Sequence, residues 1–156
     1  LNDTELQVTK DFGELSIPSK DSRLRLTVMI LQLFRLWSID TNTQSALLGL
    51  SPKSRTIDKY LLGTKAVPNS PDLLDRIGHL LAIHKCLRTL YPHDHDLAYT
   101  WVSCPNRAFD GQSPLSVMLA YRFAGLLRVK SYLEHACKHS RTDKLTSITI
   151  SITHEL

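Results

Sequence analysis

One short segment of this 156-residue sequence concentrates side chains that bind phosphate groups and the edges of bases. Its cationic and hydroxyl residues are Ser51, Lys53, Ser54, Arg55, Thr56 and Lys59. A guanidinium can donate two hydrogen bonds to guanine, whereas hydroxyl and ammonium groups bind phosphates or base edges. The segment therefore predicts a contact with DNA. The alternative is that Lys53 and Lys59 form only a solvated face of a helical scaffold that serves packing or dimerisation.

Two other groups of reactive side chains do not predict a catalytic site. Histidine and aspartate alternate in His93–Asp96, but consecutive residues on a helix point in different directions and do not converge on one metal ion. An acidic helix N-terminus is the commoner explanation. Cys86, Cys104 and Cys137 lack the spacing of a zinc site or a disulfide framework. We therefore expect no metal, no cofactor and no enzymatic activity.

The composition is that of a folded, mildly basic protein. A hydrophobic fraction of 42% with 22% charged residues argues against wholesale disorder. The formal charge of +4 is compatible with DNA contacts, although it is also common in proteins that never bind nucleic acid. No apolar stretch reaches membrane-spanning length, and no signal-peptide pattern opens the chain. We expect a cytoplasmic, reducing environment and no membrane partner.

Residues 23–92 carry the helical pattern of a DNA-binding domain. From Arg23, apolar residues recur every three or four positions over about four turns, which predicts a long, largely buried helix. Its apolar positions are Leu24, Leu26, Val28, Ile30, Leu31, Leu33, Phe34 and Trp37. A second long helix is predicted from Asp72 to about Leu90, after a loop that contains two prolines.

Two short helices between these long ones predict a helix-turn-helix. The motif needs a small residue where the short helices cross, a glycine in the turn and an apolar residue that anchors the turn. In that order the sequence offers Ala46, Gly49 and Leu50. Ser51 then serves as the cap of the second short helix, with Pro52 in its first turn, where a missing N–H costs nothing. This second helix would present the basic segment to DNA.

The two ends of the chain lack this helical pattern. Residues 1–22 mix acidic, glycine, proline and serine positions, which predicts a flexible arm. In the tail, residues 139–156, the stretch Thr146–Thr153 alternates hydroxyl and isoleucine residues, which is typical of a β-strand. A single strand is not stable alone. The tail is therefore expected to be disordered, to join a partner's sheet edge, or to pair with Leu15–Ile17.

Residues 93–138 predict a small third helical region. A helix through Trp101 is followed by a break at Pro105 and a loop that Gly111 closes. Ser113 and Pro114 then restart the chain as a helix, because the hydroxyl can cap it and proline fits its first turn. A longer helix is predicted from Phe123 to Cys137, with apolar positions Leu126, Leu127, Tyr132 and Leu133.

The stretch Pro-Asn-Arg-Ala-Phe-Asp-Gly-Gln-Ser-Pro-Leu at residues 105–115, following Trp101, resembles the toxin-binding domain of Xre/MbcA/ParS-type antitoxins of RES-domain toxin–antitoxin systems. In that family an Asn, a bulky apolar residue, a Gly, a Ser-Pro pair and a Leu connect two helices. The upstream sequence is similar to the family's helix-turn-helix domain and linking helix, so the resemblance covers about residues 24–138. Gln112 departs from it, since a basic residue is frequent there, and the Ile/Thr tail is not a family feature.

The resemblance implies an all-α fold, with an N-terminal Xre/Cro-like helix-turn-helix domain and a small C-terminal helical toxin-binding domain. It also implies an antitoxin that covers the active-site entrance of a RES-type toxin, an enzyme that consumes NAD or transfers its ADP-ribose. The pair would repress its own operon through operator DNA, with the antitoxin as a homodimer in the complex. The alternative is a stand-alone transcriptional regulator whose C-terminal module serves dimerisation or another ligand.

The predicted toxin-binding residues fall into two sets. The last helix offers cations and an aromatic ring suited to an acidic or nucleotide-binding cleft, or else an ordinary solvated face: Arg128, Lys130, Tyr132 and Lys138. The loop contributes Asn106, Phe109, Gly111 and Ser113. Trp101 and Phe109 are more simply read as core, Gly111 as a backbone requirement and Asn106 as a partner for loop backbone groups, so that these residues shape the binding surface.

Overall fold

The computed structural model describes the backbone of residues 18–51, 56–61 and 65–154, and the side chains as far as Arg141 apart from Leu61. Within these residues the fold is all-α, as predicted, and it contains no strand. The helices are α1 (Lys20–Leu36), α2 (Thr41–Leu47), α3 (Thr56–Leu61), α4 (Pro71–Leu90), α5 (His95–Thr100), α6 (Pro114–Ala120) and α7 (Arg122–His154). Two short 3-10 helices, Trp101–Ser103 and Arg107–Phe109, connect α5 to α6. None of the described helices is long and apolar enough to cross a membrane.

Helix α1 begins at Lys20, three residues before the predicted start, because the Ser19 side chain accepts a hydrogen bond from the Ser22 N–H at 3.1 Å. The buried face of α1 is narrower than the sequence pattern predicts, since Val28 remains 58% exposed. The buried residues of α1 are Thr27, Ile30, Leu31, Leu33 and Phe34. Thr27 accepts a hydrogen bond from the Val67 N–H at 2.9 Å, which fixes the loop before α4 against α1.

Helix α2 is capped by an aspartate, and the turn between α2 and α3 has the predicted glycine. Asp40 caps α2 by accepting from the Thr43 N–H at 2.7 Å, and this hydrogen bond lowers the pKa of the carboxyl group. Gly49 has a φ of +70°, which an L-residue adopts at a cost. The Leu50 N–H donates to the Ser45 carbonyl at 2.8 Å and reverses the chain. The described part of α3 begins at Thr56, whereas the predicted start at Pro52 lies outside the described residues.

The prediction that Ala46 is the small residue where the two short helices cross is wrong. Ala46 is exposed, and the small buried residue of α2 is Ser45, one position earlier and 4% exposed. A shift of one residue turns a helical side chain by about 100°, so a sequence pattern with several small residues does not decide which of them faces the core.

Helix α4 is the element that both halves of the chain share. It contacts α1 on the N-terminal side and packs along α7 and α5 on the C-terminal side. Its buried residues, Leu73, Ile77, Leu80, Ile83 and Leu87, belong to one continuous hydrophobic core with residues of both halves. The buried apolar residues in the described part of the chain form one core across residue 92. The expected domain boundary near this residue stays a prediction.

The predicted strand at Thr146–Thr153 is wrong, because these residues continue α7, which reaches His154. Alternating β-branched residues favour a strand only where a neighbouring strand supplies the ladder of hydrogen bonds. A helix satisfies its backbone N–H and C=O groups within itself, and α7 offers an already nucleated helix to extend. The other suggested partner, Leu15–Ile17, lies outside the described residues.

The crossing of α6 and α7 depends on a glycine. Gly125 is buried in the second turn of α7, and a Cβ atom at this position would overlap the Val117 carbonyl oxygen and lie 2.9 Å from the carbonyl carbon. The backbone of α7 therefore passes directly against the backbone of α6. Arg122 makes this sharp return possible with a φ of +53°, an uncommon conformation for a residue other than glycine.

We predict opposite stability changes for two Gly→Ala substitutions in helices. Gly125→Ala forces apart α6 and α7 and should lower the free energy of unfolding by about 1–3 kcal/mol. Gly78→Ala, in α4, meets open space. It should raise the free energy of unfolding by about 0.5–1 kcal/mol, because alanine favours the helix. Urea denaturation measures both, and an unchanged or more stable Gly125→Ala protein would contradict the close approach of the two backbones.

Candidate functional site

Three aromatic rings form the centre of the C-terminal module. Trp101 and Phe109 are buried, 8% and 2% exposed, and their ring centroids lie 6.3 Å apart in an edge-to-face arrangement. Tyr132 of α7 stacks on Trp101 at 6.2 Å and meets Phe109 edge-on at 5.2 Å, while 41% of it stays exposed. Such pairs stabilise beyond the area they bury. Phe109 thus lies in the core, which is the simpler of the two roles predicted for it. Tyr132 is the member of the cluster that reaches the surface.

Asn106 organises the loop between the two 3-10 helices. Its side-chain oxygen accepts a hydrogen bond from the Ala108 N–H at 2.9 Å. Its backbone carbonyl accepts from the N–H groups of Phe109 and Gly111 at 3.0 and 3.1 Å, and its own N–H donates to the Gln112 carbonyl at 3.0 Å. The loop is therefore closed around this single residue, which matches the expectation that Asn106 satisfies loop backbone groups.

Gly111 is required by its backbone conformation. Its φ is +81°, and it follows Asp110, whose φ is +55°, so two consecutive residues adopt the left-handed conformation. A Cβ at Gly111 would meet nothing within 4 Å, which leaves the dihedral angle as the reason for glycine. Ser113 then caps α6 by accepting from the Ser116 N–H at 3.1 Å, with Pro114 in the first turn, as predicted.

The predicted cations of α7 do not share one face. Arg128 lies 5.5 Å above the Phe109 ring and 3.7 Å from Asp110, and it stands one helical turn from Tyr132. Lys130 pairs instead with Glu134 at 3.3 Å on α7 itself. Lys138 borders a groove between α4 and α7. The structure therefore joins Arg128 and Tyr132 to the loop residues and separates Lys130 and Lys138 from them.

Two thiols meet in the groove between α4 and α7. The Cys137 thiol donates to the Cys86 carbonyl at 3.5 Å. Burial, and after it the neighbouring Cys137, together raise the pKa of Cys86 to about 11. Cys86 is thus a protonated, weakly nucleophilic thiol at neutral pH. Cys104 is exposed in the loop before Asn106.

The histidine and aspartate run at the start of α5 has structural roles. Asp94 caps α5 by accepting from the Leu97 N–H at 2.9 Å, and the His95 ring meets Tyr99 edge-on at 6.3 Å. Tyr99 also stacks on His84 of α4 at 5.9 Å, and burial together with the Arg88 charge lowers the pKa of His84. In the described part of the chain, no group of three or more His, Cys, Asp or Glu side chains could hold a metal ion.

The predicted DNA-contact residues are only partly described. Ser51 and Lys59 are exposed and Thr56 is half-buried. Lys53, Ser54 and Arg55 lie outside the described residues. Ser51 borders an open cleft with two arginines that the sequence analysis did not single out, Arg76 of α4 and Arg122 of α7. They come from helices distant in sequence, and no residue spacing signals that the fold brings them together.

Comparison with known proteins places this geometry in a family. Residues 86–136 match the model of the antitoxin Xre/MbcA/ParS C-terminal toxin-binding domain. The matched segment contains the aromatic cluster, the Asn106 loop and the crossing of α6 with α7. An uncharacterized protein, y4oB, from Sinorhizobium fredii is 35% identical over 122 residues, which cover 76% of this chain and 91% of the relative. No solved structure matches.

The chain belongs to the Xre/MbcA/ParS family of antitoxins. The family assignment made from the sequence is confirmed, and so is the position of its C-terminal motif. A toxin-binding domain implies a toxin as the partner of this chain. The match begins within the last part of α4, which agrees with the packing of α4 against the C-terminal helices.

The raised pKa of Cys86 predicts the order in which the cysteines react. Alkylation follows the thiolate fraction and access to the thiol. With iodoacetamide at about pH 8, we therefore expect exposed Cys104 to react first and Cys86 to react slowly. The rate at Cys86 should keep rising until the pH approaches its pKa of about 11. Mass spectrometry of peptides measures each rate, with the urea-unfolded chain as the control. Equal rates at Cys86 and Cys104 in the folded protein would disprove the shift.

Proposed function

We propose that this antitoxin binds and occludes the active site of a RES-type toxin that consumes NAD or transfers ADP-ribose. The proposal rests on the family's toxin-binding domain together with one local observation. Within the matched segment, Arg128 and the exposed part of Tyr132 stand side by side on α7, next to the loop that Asn106 organises. The chain acts by binding in the cytoplasm, and it uses no cofactor.

The chemistry of this surface suits the mouth of an enzyme. Arginine and tyrosine are the side chains that most often anchor protein interfaces, because each combines a large contact area with polar groups. The Tyr132 ring packs against the buried rings of Trp101 and Phe109, and the Arg128 guanidinium lies over the Phe109 ring. Both side chains are therefore partly ordered before the toxin binds, which reduces the entropy lost on association. Asn106, Gly111 and Ser113 set the shape of the loop, whereas buried Phe109 supports the surface from inside.

A second part of the proposal concerns operator DNA. Exposed Lys59 and Ser51, with Lys53, Ser54, Arg55 and Thr56 from the same segment, would contact an operator in front of the toxin–antitoxin genes. Helix-turn-helix proteins commonly bind such sites as dimers, because two half-sites then match two copies of the reading helix. The antitoxin would accordingly repress its own operon as a homodimer, alone or with toxin bound.

The toxin contact is tested with a matched pair of arginine substitutions. Arg128→Ala should weaken binding to the enzyme encoded beside this chain by about 2 kcal/mol or more, roughly 30-fold, as expected for an interface anchor. Arg25→Ala removes the same side chain from the exposed surface of α1 and should leave affinity unchanged. Calorimetry with purified proteins measures the affinity, and co-expression measures rescue of growth.

The Arg128→Ala protein should stay folded, because the exposed Arg128–Asp110 pair contributes no more than about 1 kcal/mol. A normal melting temperature with normal toxin affinity would remove Arg128 from the interface. If the neighbouring enzyme binds neither the parent chain nor the Arg25→Ala control, the proposed toxin is wrong. Binding to operator DNA without any toxin would then favour a stand-alone regulator.

Operator binding separates a base contact from a phosphate contact. Arg55→Ala should lose about 1–3 kcal/mol on the specific operator and little on unrelated DNA, if Arg55 reads a base. Lys59→Ala should weaken binding to both DNAs alike and lower the salt dependence, log K against log salt, by about one unit. Fluorescence anisotropy over a range of salt concentrations measures these effects. Unchanged operator affinity in both variants would exclude this segment as the DNA site.

A further inference from the structure

A cleft at the junction of the two halves combines positive charge with access to solvent. It has a volume of about 550 Å³ and is lined by Ala46, Gly49, Leu50, Ser51, Arg76, Leu119 and Arg122. The turn of the helix-turn-helix forms one wall, and the α6–α7 return forms the other. We propose that this cleft binds a phosphate group of the DNA backbone, so that Arg122, a residue of the toxin-binding half, is a DNA contact. This inference rests on the operator binding proposed above.

Arg76 is built into the floor of the cleft. Its Nε donates to Asp72 Oδ2 at 3.0 Å, its guanidinium lies 5.4 Å from the centre of the Phe123 ring, and its side chain is only 13% exposed. On the other side it touches Gly49 so closely that a Cβ there would lie 2.8 Å from Nε. Its position is thus fixed by both halves of the molecule, beside the turn that precedes the DNA-contact segment.

Arg122 supplies the second positive charge. It is exposed, and among the described residues it has no ion-pair partner. None of the described residues that line the cleft is acidic. Among the described residues, Asp72 is the acidic side chain that pairs with a cleft arginine, and its partner is Arg76. The exposed Arg122 guanidinium therefore leaves the cleft with a net positive charge that favours an anion.

The shape of the cleft favours a phosphate that belongs to a large ligand. Ala46, Gly49, Ser51, Leu119 and Arg122 are all exposed, so a duplex can approach without any opening of the fold. Ser51 is itself one of the predicted DNA contacts, and it shares the cleft with Arg122. Phosphate contacts next to a reading helix fix the register of the protein on the duplex. Arg122 would therefore extend the DNA surface from the helix-turn-helix onto α7.

The test measures binding to a duplex from the region upstream of this chain's gene, and to a random duplex, as a function of salt. Arg122→Gln should lower the salt slope on both duplexes by about 0.9, the value for one phosphate. If the parent chain and the variant bind equally at about 1 M salt, this difference in slope makes the variant bind about eightfold more weakly at about 0.1 M salt. Arg122→Lys keeps the charge and should bind almost as the parent chain does.

Arg141→Gln is the matched control, because it removes the same charge from an exposed position on the same helix. The two arginines lie about 28 Å apart along α7, well beyond the screening length of about 10 Å at about 0.1 M salt. Arg141→Gln should therefore leave both the affinity and the slope unchanged. Equal losses of DNA affinity in Arg122→Gln and Arg141→Gln would mean that only the net charge of the protein matters, and they would overturn the proposal that the cleft binds phosphate.

The remaining outcomes separate this inference from the proposed operator binding. If the parent chain binds DNA and Lys59→Ala weakens it, but Arg122→Gln does not, the helix-turn-helix proposal stands and the cleft proposal fails. If the parent chain binds neither duplex, both fail. Inorganic phosphate and ATP, titrated against the parent chain by calorimetry, test a free phosphate as the ligand. Binding of either that depends on Arg122, without an effect on DNA, would also overturn the DNA assignment.

Discussion

The packing of α7 along α4 is the constraint on which both candidate surfaces depend. Along this interface the centre of the Phe123 ring lies 5.4 Å from the Arg76 guanidinium carbon and 5.5 Å from the centre of the His79 ring. The Cys137 thiol donates to the Cys86 carbonyl at 3.5 Å. Gly125 sets the start of α7 by letting its backbone pass against α6. Because α4 also packs against α1, any displacement of α7 would disturb the core of both halves.

The local features of this fold could be predicted from the sequence, since they depend on neighbouring residues. The cap by Ser113 and the left-handed glycines at 49 and 111 are of this kind. The expected strand at Thr146–Thr153 failed because β-branched alternation says nothing about whether a partner strand exists. Gly125 carried a weak signal, as a lone glycine within a helical pattern, but its reason is a contact with α6 that only the fold reveals.

In the candidate sites, too, the features set by neighbouring residues were predictable and those set by tertiary packing were not. The loop residues Asn106 and Gly111 were predicted with their structural roles, because a tight loop requires those residue types at those positions. The four residues predicted to bind the toxin from α7 do not lie together. Positions 128 and 132 are one helical turn apart on the same side of the helix, whereas positions 130 and 138 face other directions. Arg76 and Arg122 meet in one cleft only through tertiary packing, and their separation in sequence offered no pattern to detect.

The central claim is that one outer surface, formed by the loop at residues 105–113 and the Arg128–Tyr132 side of α7, meets the toxin. Hydrogen exchange of the full chain, with and without the toxin, tests this most directly. We expect the toxin to slow exchange in the loop and in the adjoining turns of α7, and to leave exchange in α2 and α3 unchanged. Slowed exchange in α2 and α3, with none at residues 105–113, would contradict the account.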